Sequence, residues 1–414
     1  MKESKLLSSR AVFLLGINSI IGSGIFLLSG KIYQSAGVWS LLSILLAGLS
    51  ILVISLSYAN MSKIYPENGG AFVYAKENFG RFAGFIVGVL TWLLGVVTIS
   101  TETSALLTAV KMLFPGLQTT WIGIAIILIF GLVSYFGPSI GALLDNMTSG
   151  LKLLIITVFI VSCVWLMKGS HFSLSAVSGA KLPYMGILSA YGTAFYFFTG
   201  FSFLPVNAEK MANPKKTLPK MMVAVVLTVI VIYLAVQAIT IGVLGKQLPD
   251  TAVPAATVFS HVVGNIGIPI IVTAICISIL GVIVAVSFNT PTILASLAES
   301  HEDVPSAVAK KNRFGTPGLS VLLTAAGAVA LFLSGSYAFL AGLTVFMSFV
   351  QYLSTGLANI KEKFLWIGIG TIIFSLVLLV SFTGETLIFG FAILAILAVI
   401  YLLSARLAKH SSGS

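Results

Sequence analysis

Two ionisable side chains lie inside long apolar runs of this chain, where charge is costly and marks functional candidates. Glu102 sits nine residues before Lys111, a rise of about 14 Å along a helix. A carboxyl at that depth can carry a proton, pair with a cationic group, or stand protonated and hydrogen-bonded in a structural role. Lys152 lies nearer the start of its run. It either snorkels to the interface or acts as a fixed cation or titrating amine. Two further places offer chemistry through the backbone. Gly22-Ser23-Gly24 interrupts the first apolar run, and Thr199-Gly200-Phe201, followed by Pro205, interrupts the sixth. Glycine weakens a helix by roughly 1 kcal/mol against alanine and lets a ligand approach the backbone. Taken alone, the first motif reads equally well as a small-residue packing surface.

Other chemistry is excluded by residue type. His171, His261, His301 and His410 all lie in polar stretches, so no histidine serves as a proton relay in an apolar run. Cys163 and Cys276 stand alone, with no metal-ligand spacing and no disulfide framework. Gly24 to Gly30-Lys31 imitates a phosphate-binding loop, but the spacing is one residue too long and Ile32 replaces the required hydroxyl. No nucleophile–base pair, paired aspartates or metal motif supports an enzyme. No cofactor is expected.

These residues need elements to hold them. Of 414 residues only 8% are charged and 58% are hydrophobic, against about 25% charged in soluble domains. Mean hydropathy is +1.08. The solvent is therefore the bilayer, and the non-alternating runs of about 20 residues predict helices rather than a barrel. Twelve spans are expected, near 11–30, 36–62, 81–112, 119–136, 147–168, 184–208, 219–244, 266–299, 316–334, 336–356, 363–382 and 385–406. The third and eighth are overlong, and Gly335-Ser336 divides the ninth from the tenth. Residues 407–414 read as a flexible tail. With the N-terminus inside, seventeen of the 23 Lys and Arg fall in cytoplasmic segments and five outside, Lys152 being within a span. That asymmetry predicts cytoplasmic N- and C-termini. It also disperses the net charge of +11, leaving no patch for nucleic acid. The first and sixth spans open two five-helix sets of opposite orientation. Interruptions at matching places in two halves point to a transporter's midplane site. There, freed amides receive an anion and freed carbonyls a cation. An α-amino acid carries both.

Three ordered motifs carry a resemblance across nearly the whole chain: Ile21-Gly22-Ser23-Gly24-Ile25-Phe26; Tyr58-Ala59-Asn60-Met61 through Pro66, Gly69-Gly70 and Tyr74 to Phe79-Gly80; and Thr199-Gly200-Phe201 with Glu209 through Asn213-Pro214-Lys215-Lys216 to Pro219. The chain resembles the amino acid–polyamine–organocation superfamily of permeases. The resemblance implies an all-α integral membrane protein of about 12 transmembrane helices: a LeuT-like 5+5 inverted repeat (11–168 and 184–356) plus two peripheral helices (363–406), with helices 1 and 6 broken. It implies that amides of Ser23, Gly24 and Ile25, beside Gly22, hold a substrate carboxylate. Carbonyls of Ile20, Tyr196 and Thr199 would hold its ammonium, with Gly200 and Phe201 at the second break. Lys152 matches a lysine that stands in some members where sodium-coupled relatives bind sodium. Departures are Ser202, where an acid is common, Asn60 for Glu, and an eighth span that ends at Glu299 without Arg.

The expectation is a sodium-independent amino-acid transporter of the cell membrane, working by proton symport or exchange, with no obligate protein partner evident. Glu102 is expected at the far end of the substrate, ionised for a cationic side chain or protonated for neutral ones. Neutral or broad substrates are favoured. The rival is a polyamine carrier or metabolite exporter of the same fold.

Overall fold

The computed structural model describes residues 8–66, 69–173, 183–206, 211, 213–300 and 304–411, with backbone alone at 138–147, 149, 206 and 405–411. Lys2, Lys5, Lys181, Glu209, Lys210 and His301 lie outside the described residues, as do the side chains of Arg406, Lys409 and His410.

Among the described residues there is no strand, only one isolated bridge between Lys311 and Pro317. In hydrocarbon every backbone donor and acceptor must be paired within the chain, and helices do this locally. They are α1 Ser9–Ile20, α2 Gly24–Leu27, α3 Ser29–Ala36, α4 Ser40–Ile64, α5 Ala71–Phe79, α6 Arg81–Leu113, α7 Thr119–Tyr135, α8 Pro138–Cys163 and α9 Tyr184–Phe197. There follow α10 Phe203–Val206, α11 Pro214–Leu244, α12 Pro254–Val263, α13 Gly267–Ser300, α14 Gly318–Ser334, α15 Tyr337–Lys361, α16 Leu365–Ser381 and α17 Gly384–Ser411. Seven of the described helical segments are long and apolar enough to cross a membrane, and four shorter apolar helices accompany them.

Helix ends differ from the apolar runs where polar residues extend a helix beyond the bilayer. The fifth span, expected from 147, begins at Pro138, and the seventh, expected from Pro219, begins at Pro214. Proline at the first helical position loses no intrahelical bond. α14 and α15 are separate, with Ser336 capping the second through the Phe339 amide. α17 runs through Ser411, into the stretch expected as a tail. Two short helices were not anticipated. α5 sits between glycines at 70 and 80, and α12 buries Ala255, Ala256, Val258 and Phe259.

α6 (33 residues) packs along α13 (34 residues), and α4 packs along α11. At about 50 Å by helical rise, α6 and α13 exceed a hydrocarbon core of about 30 Å. Small residues let them close: Gly95 faces Thr290, and Gly88 faces Leu297. Tyr233, Gln237 and Thr240 project from one face of α11 at helical spacing. Gln237 accepts from Ser29 Oγ at 2.6 Å and donates to Ser40 Oγ at 3.1 Å, tying α3 and α4 to α11. Large apolar side chains cover the outside, among them Leu128, Leu132, Leu154, Val161, Leu322 and Val380. In water such a surface would aggregate; against acyl chains it is solvated. Trp121, Trp165 and Trp366 stand exposed near helix ends, where indoles favour the headgroup level.

Candidate functional site

The site begins where α1 stops. Ile21 turns extended (φ −77, ψ 93), and the Gly22 amide reaches back only to the Ile20 carbonyl, at 2.9 Å. The last carbonyls of a helix lack intrahelical donors, and here they lie in the protein interior. Lys152 supplies the missing donors. Its ammonium, 1% exposed, donates to Asn18 O at 3.2 Å and to Ile21 O. The Tyr233 hydroxyl lies 3.2 Å from Ile20 O and 2.7 Å from Phe197 O, so it touches both breaks. The second break, Phe198 to Ser202 between α9 and α10, rests directly on the first. Gly200 (φ +108) sets its backbone against the Ser19 carbonyl, where any Cβ would collide.

The freed amide on the other side of the break is also taken. Ser23 N–H donates to Glu102 Oε2 at 3.1 Å, and Ser23 Oγ donates to Oε1 at 3.1 Å. The Tyr196 hydroxyl donates to Oε1 at 2.9 Å. Tyr337 stands behind, its hydroxyl 2.8 Å from Ser23 Oγ. Each neighbour has a proton to give, and the carboxyl oxygens of Glu102 accept them. Gly22 makes room, because a Cβ there would lie 2.5 Å from Glu102 Oε1. The break thus carries an ammonium on its carbonyls and a carboxylate on its amide, both supplied by the chain itself.

The remaining expected residues gather at the same place with one difference. The Tyr196 carbonyl accepts from the Thr199 amide at 3.1 Å and the Thr199 hydroxyl at 2.8 Å. Gly24 lies against the rings of Tyr196 and Phe197, and Ile25 is buried. Phe201 belongs to the second break, but its ring turns away. It stacks on Tyr352 (5.6 Å between centroids) and meets the edge of Tyr58 (5.4 Å). Ser19, Gly22, Glu102, Tyr196, Thr199 and Gly200 share a cavity of about 20 Å³, room for about one water. A larger cavity of about 200 Å³ reaches Tyr196 from the side of Lys31, Ser336, Phe339 and Glu385. Glu102 therefore stands at the Ser23 amide, the group for which the resemblance implies a substrate carboxylate.

Tyr233 and Tyr337 were missed. A hydroxyl in the middle of the apolar seventh span was a legible signal for Tyr233. Tyr337, just after a turn, looks like any interfacial aromatic.

Paired broken helices in a bundle clothed in apolar side chains define a multi-pass membrane transporter. Residues 7–405 match the amino acid permease family, and the chain belongs to that family; it is a permease and not an enzyme. It is 29% identical to an uncharacterized transporter of Mycobacterium tuberculosis (strain ATCC 25618 / H37Rv) over 384 residues, covering 84% of this chain and 78% of the relative. It is 28% identical to the chloroplastic cationic amino acid transporter 9 of Arabidopsis thaliana, covering 60% of this chain and 47% of the relative. The serine/threonine exchanger SteT of Bacillus subtilis (strain 168) is 26% identical, with 81% and 78% covered.

Proposed function

We propose that the protein is a secondary active amino-acid transporter of the cell membrane that works by alternating access without sodium, by proton symport or amino-acid exchange. The observation that carries this reading is the meeting of the two helix breaks around one shared cavity, with the Lys152 ammonium on the Asn18 and Ile21 carbonyls. A fixed cation on those carbonyls competes with sodium for the same oxygens. Twelve spans in two inverted sets, 11–168 and 184–356, with peripheral helices in 363–406 and both termini cytoplasmic, form its frame. The pairing of α6 with α13 and of α4 with α11 supports this frame, because each is a span packed on its counterpart five spans later.

The substrate's carboxylate goes to the Ser23, Gly24 and Ile25 amides, and its ammonium to the Ile20, Tyr196 and Thr199 carbonyls. Neutral or broad substrates are favoured, because Glu102 is the one acidic side chain among the described residues that line the cavity at the breaks, with no second acid beside it. The relatives include one named for cationic amino acids and one for serine and threonine, so side-chain class is set within the family rather than by it. Uptake of labelled amino acids into proteoliposomes tests the reading. Transport is expected to persist when potassium replaces sodium and to respond either to a proton gradient or to amino acid inside. Strict sodium dependence would overturn the role of Lys152. The polyamine alternative predicts strong competition by amino-acid methyl esters, which lack the carboxylate.

A further inference from the structure

The donors that converge on Glu102 form a receptor for one carboxylate. They are the Ser23 amide, the Ser23 hydroxyl and the Tyr196 hydroxyl, at 3.1, 3.1 and 2.9 Å. Ser23 and Tyr196 are buried, and so is Glu102, at 3% exposure. Tyr337 completes the set by bonding Ser23 Oγ at 2.8 Å. The receptor is built to admit the carboxylate closely, since Gly22 has no side chain where Glu102 Oε1 passes. An amino acid bound at the two breaks needs the same Ser23 amide. Two carboxyl groups cannot occupy the receptor at once, because the Ser23 amide has a single N–H and Glu102 Oε2 already accepts it.

We propose that Glu102 is a tethered substitute for the substrate carboxylate. It fills the receptor in the unloaded transporter and must leave for an amino acid to bind. The inference rests on the reading of the breaks as the amino-acid site. The 20 Å³ cavity agrees with it: the site is closed down around its internal ligand, and opens only as the ligand is exchanged. The internal carboxylate keeps buried donors paired while the site is empty, where unpaired ones would each be costly. It also sets affinity, since apparent binding is weakened in proportion to the fraction of protein in which the receptor is free.

The test uses purified full-length protein, with potassium propionate as a carboxylate that has no amine. In Glu102→Ala, millimolar propionate is expected to refill the vacated receptor and raise the unfolding midpoint by about 3 °C, while wild type stays unmoved. In Glu102→Gln, the apparent affinity for whichever of the twenty standard amino acids the wild type takes up is expected to rise on the order of 10-fold. Failure of propionate to stabilise Glu102→Ala, or equal stabilisation of wild type, overturns the proposal. Should Glu102→Ala not be recoverable, Glu102→Gln decides alone, and an unchanged or weaker affinity overturns it. The underlying reading fails separately: a wild type that takes up no amino acid, with propionate still binding Glu102→Ala, would leave the receptor and its tethered occupant standing without the amino-acid site.

Discussion

A methyl group at position 200 has nowhere to go. Its Cβ would strike the Ser19 carbonyl, and φ +108 is a conformation that side chains disfavour. Gly200→Ala is expected to cost more than about 2 kcal/mol and to abolish uptake, read as a lowered unfolding midpoint together with loss of transport. Lys152→Met keeps the bulk of the side chain and removes its charge. Asn18 O and Ile21 O then lose the hydrogen bonds from the ammonium, and a lost bond to a charged donor in a buried site costs roughly 1–3 kcal/mol. Its midpoint should fall, and uptake with it. Tyr337→Phe is milder, since it drops one hydroxyl and keeps the ring beside Tyr196. A few-fold weaker apparent affinity, with little change in stability, is the expected result. Glu102 illustrates what depth alone conveys. Its position in the third span marked it as buried and important. Which neighbour it meets depends on the rotation of α6 against the first break, and one helix's sequence does not encode that rotation.

At the scale of elements, apolar runs located the helices because the bilayer sets their length. They misplaced the starts of α8 and α11 because a helix can extend past the bilayer on polar residues. The breaks were legible as glycines at matching places. Their contact was not, since it depends on α1 meeting the segment between α9 and α10, at Ser19 and Gly200. α5 was illegible for another reason: it is short and carries charge, and only its packing against α6 and α15 makes it an element. A clasp holds that corner. The Tyr65 hydroxyl donates to Glu362 Oε1 at 2.9 Å, and the Lys361 ammonium donates to Asn78 O. Tyr65→Phe is expected to loosen the end of α15, with several-fold faster hydrogen exchange in Ala71–Phe79 and a global midpoint nearly unchanged.

The whole molecule is unequal on its two sides. Beyond Tyr196 toward Lys31 and Glu385 lies the 200 Å³ cavity. On another side Phe201, Tyr58 and Tyr352 close ranks with no exposed surface. A membrane-impermeant maleimide is expected to label Thr193→Cys, which lines the open cavity, but not Thr199→Cys, in a background lacking Cys163 and Cys276. Labelling of both would mean that the cavity and the breaks are continuous. Membrane character and family were readable from composition and three motifs. The present accessibility was not, because one sequence must encode every state of the cycle.

Tyr233 constrains how that cycle can run. One hydroxyl on α11 lies within bonding distance of the last carbonyl of α1 and of the last carbonyl of α9. If the broken helices parted during transport, a buried phenol would lose its acceptors. The economical motion therefore carries α1, α9 and this stretch of α11 together, as a single lever swinging against α6 and α13.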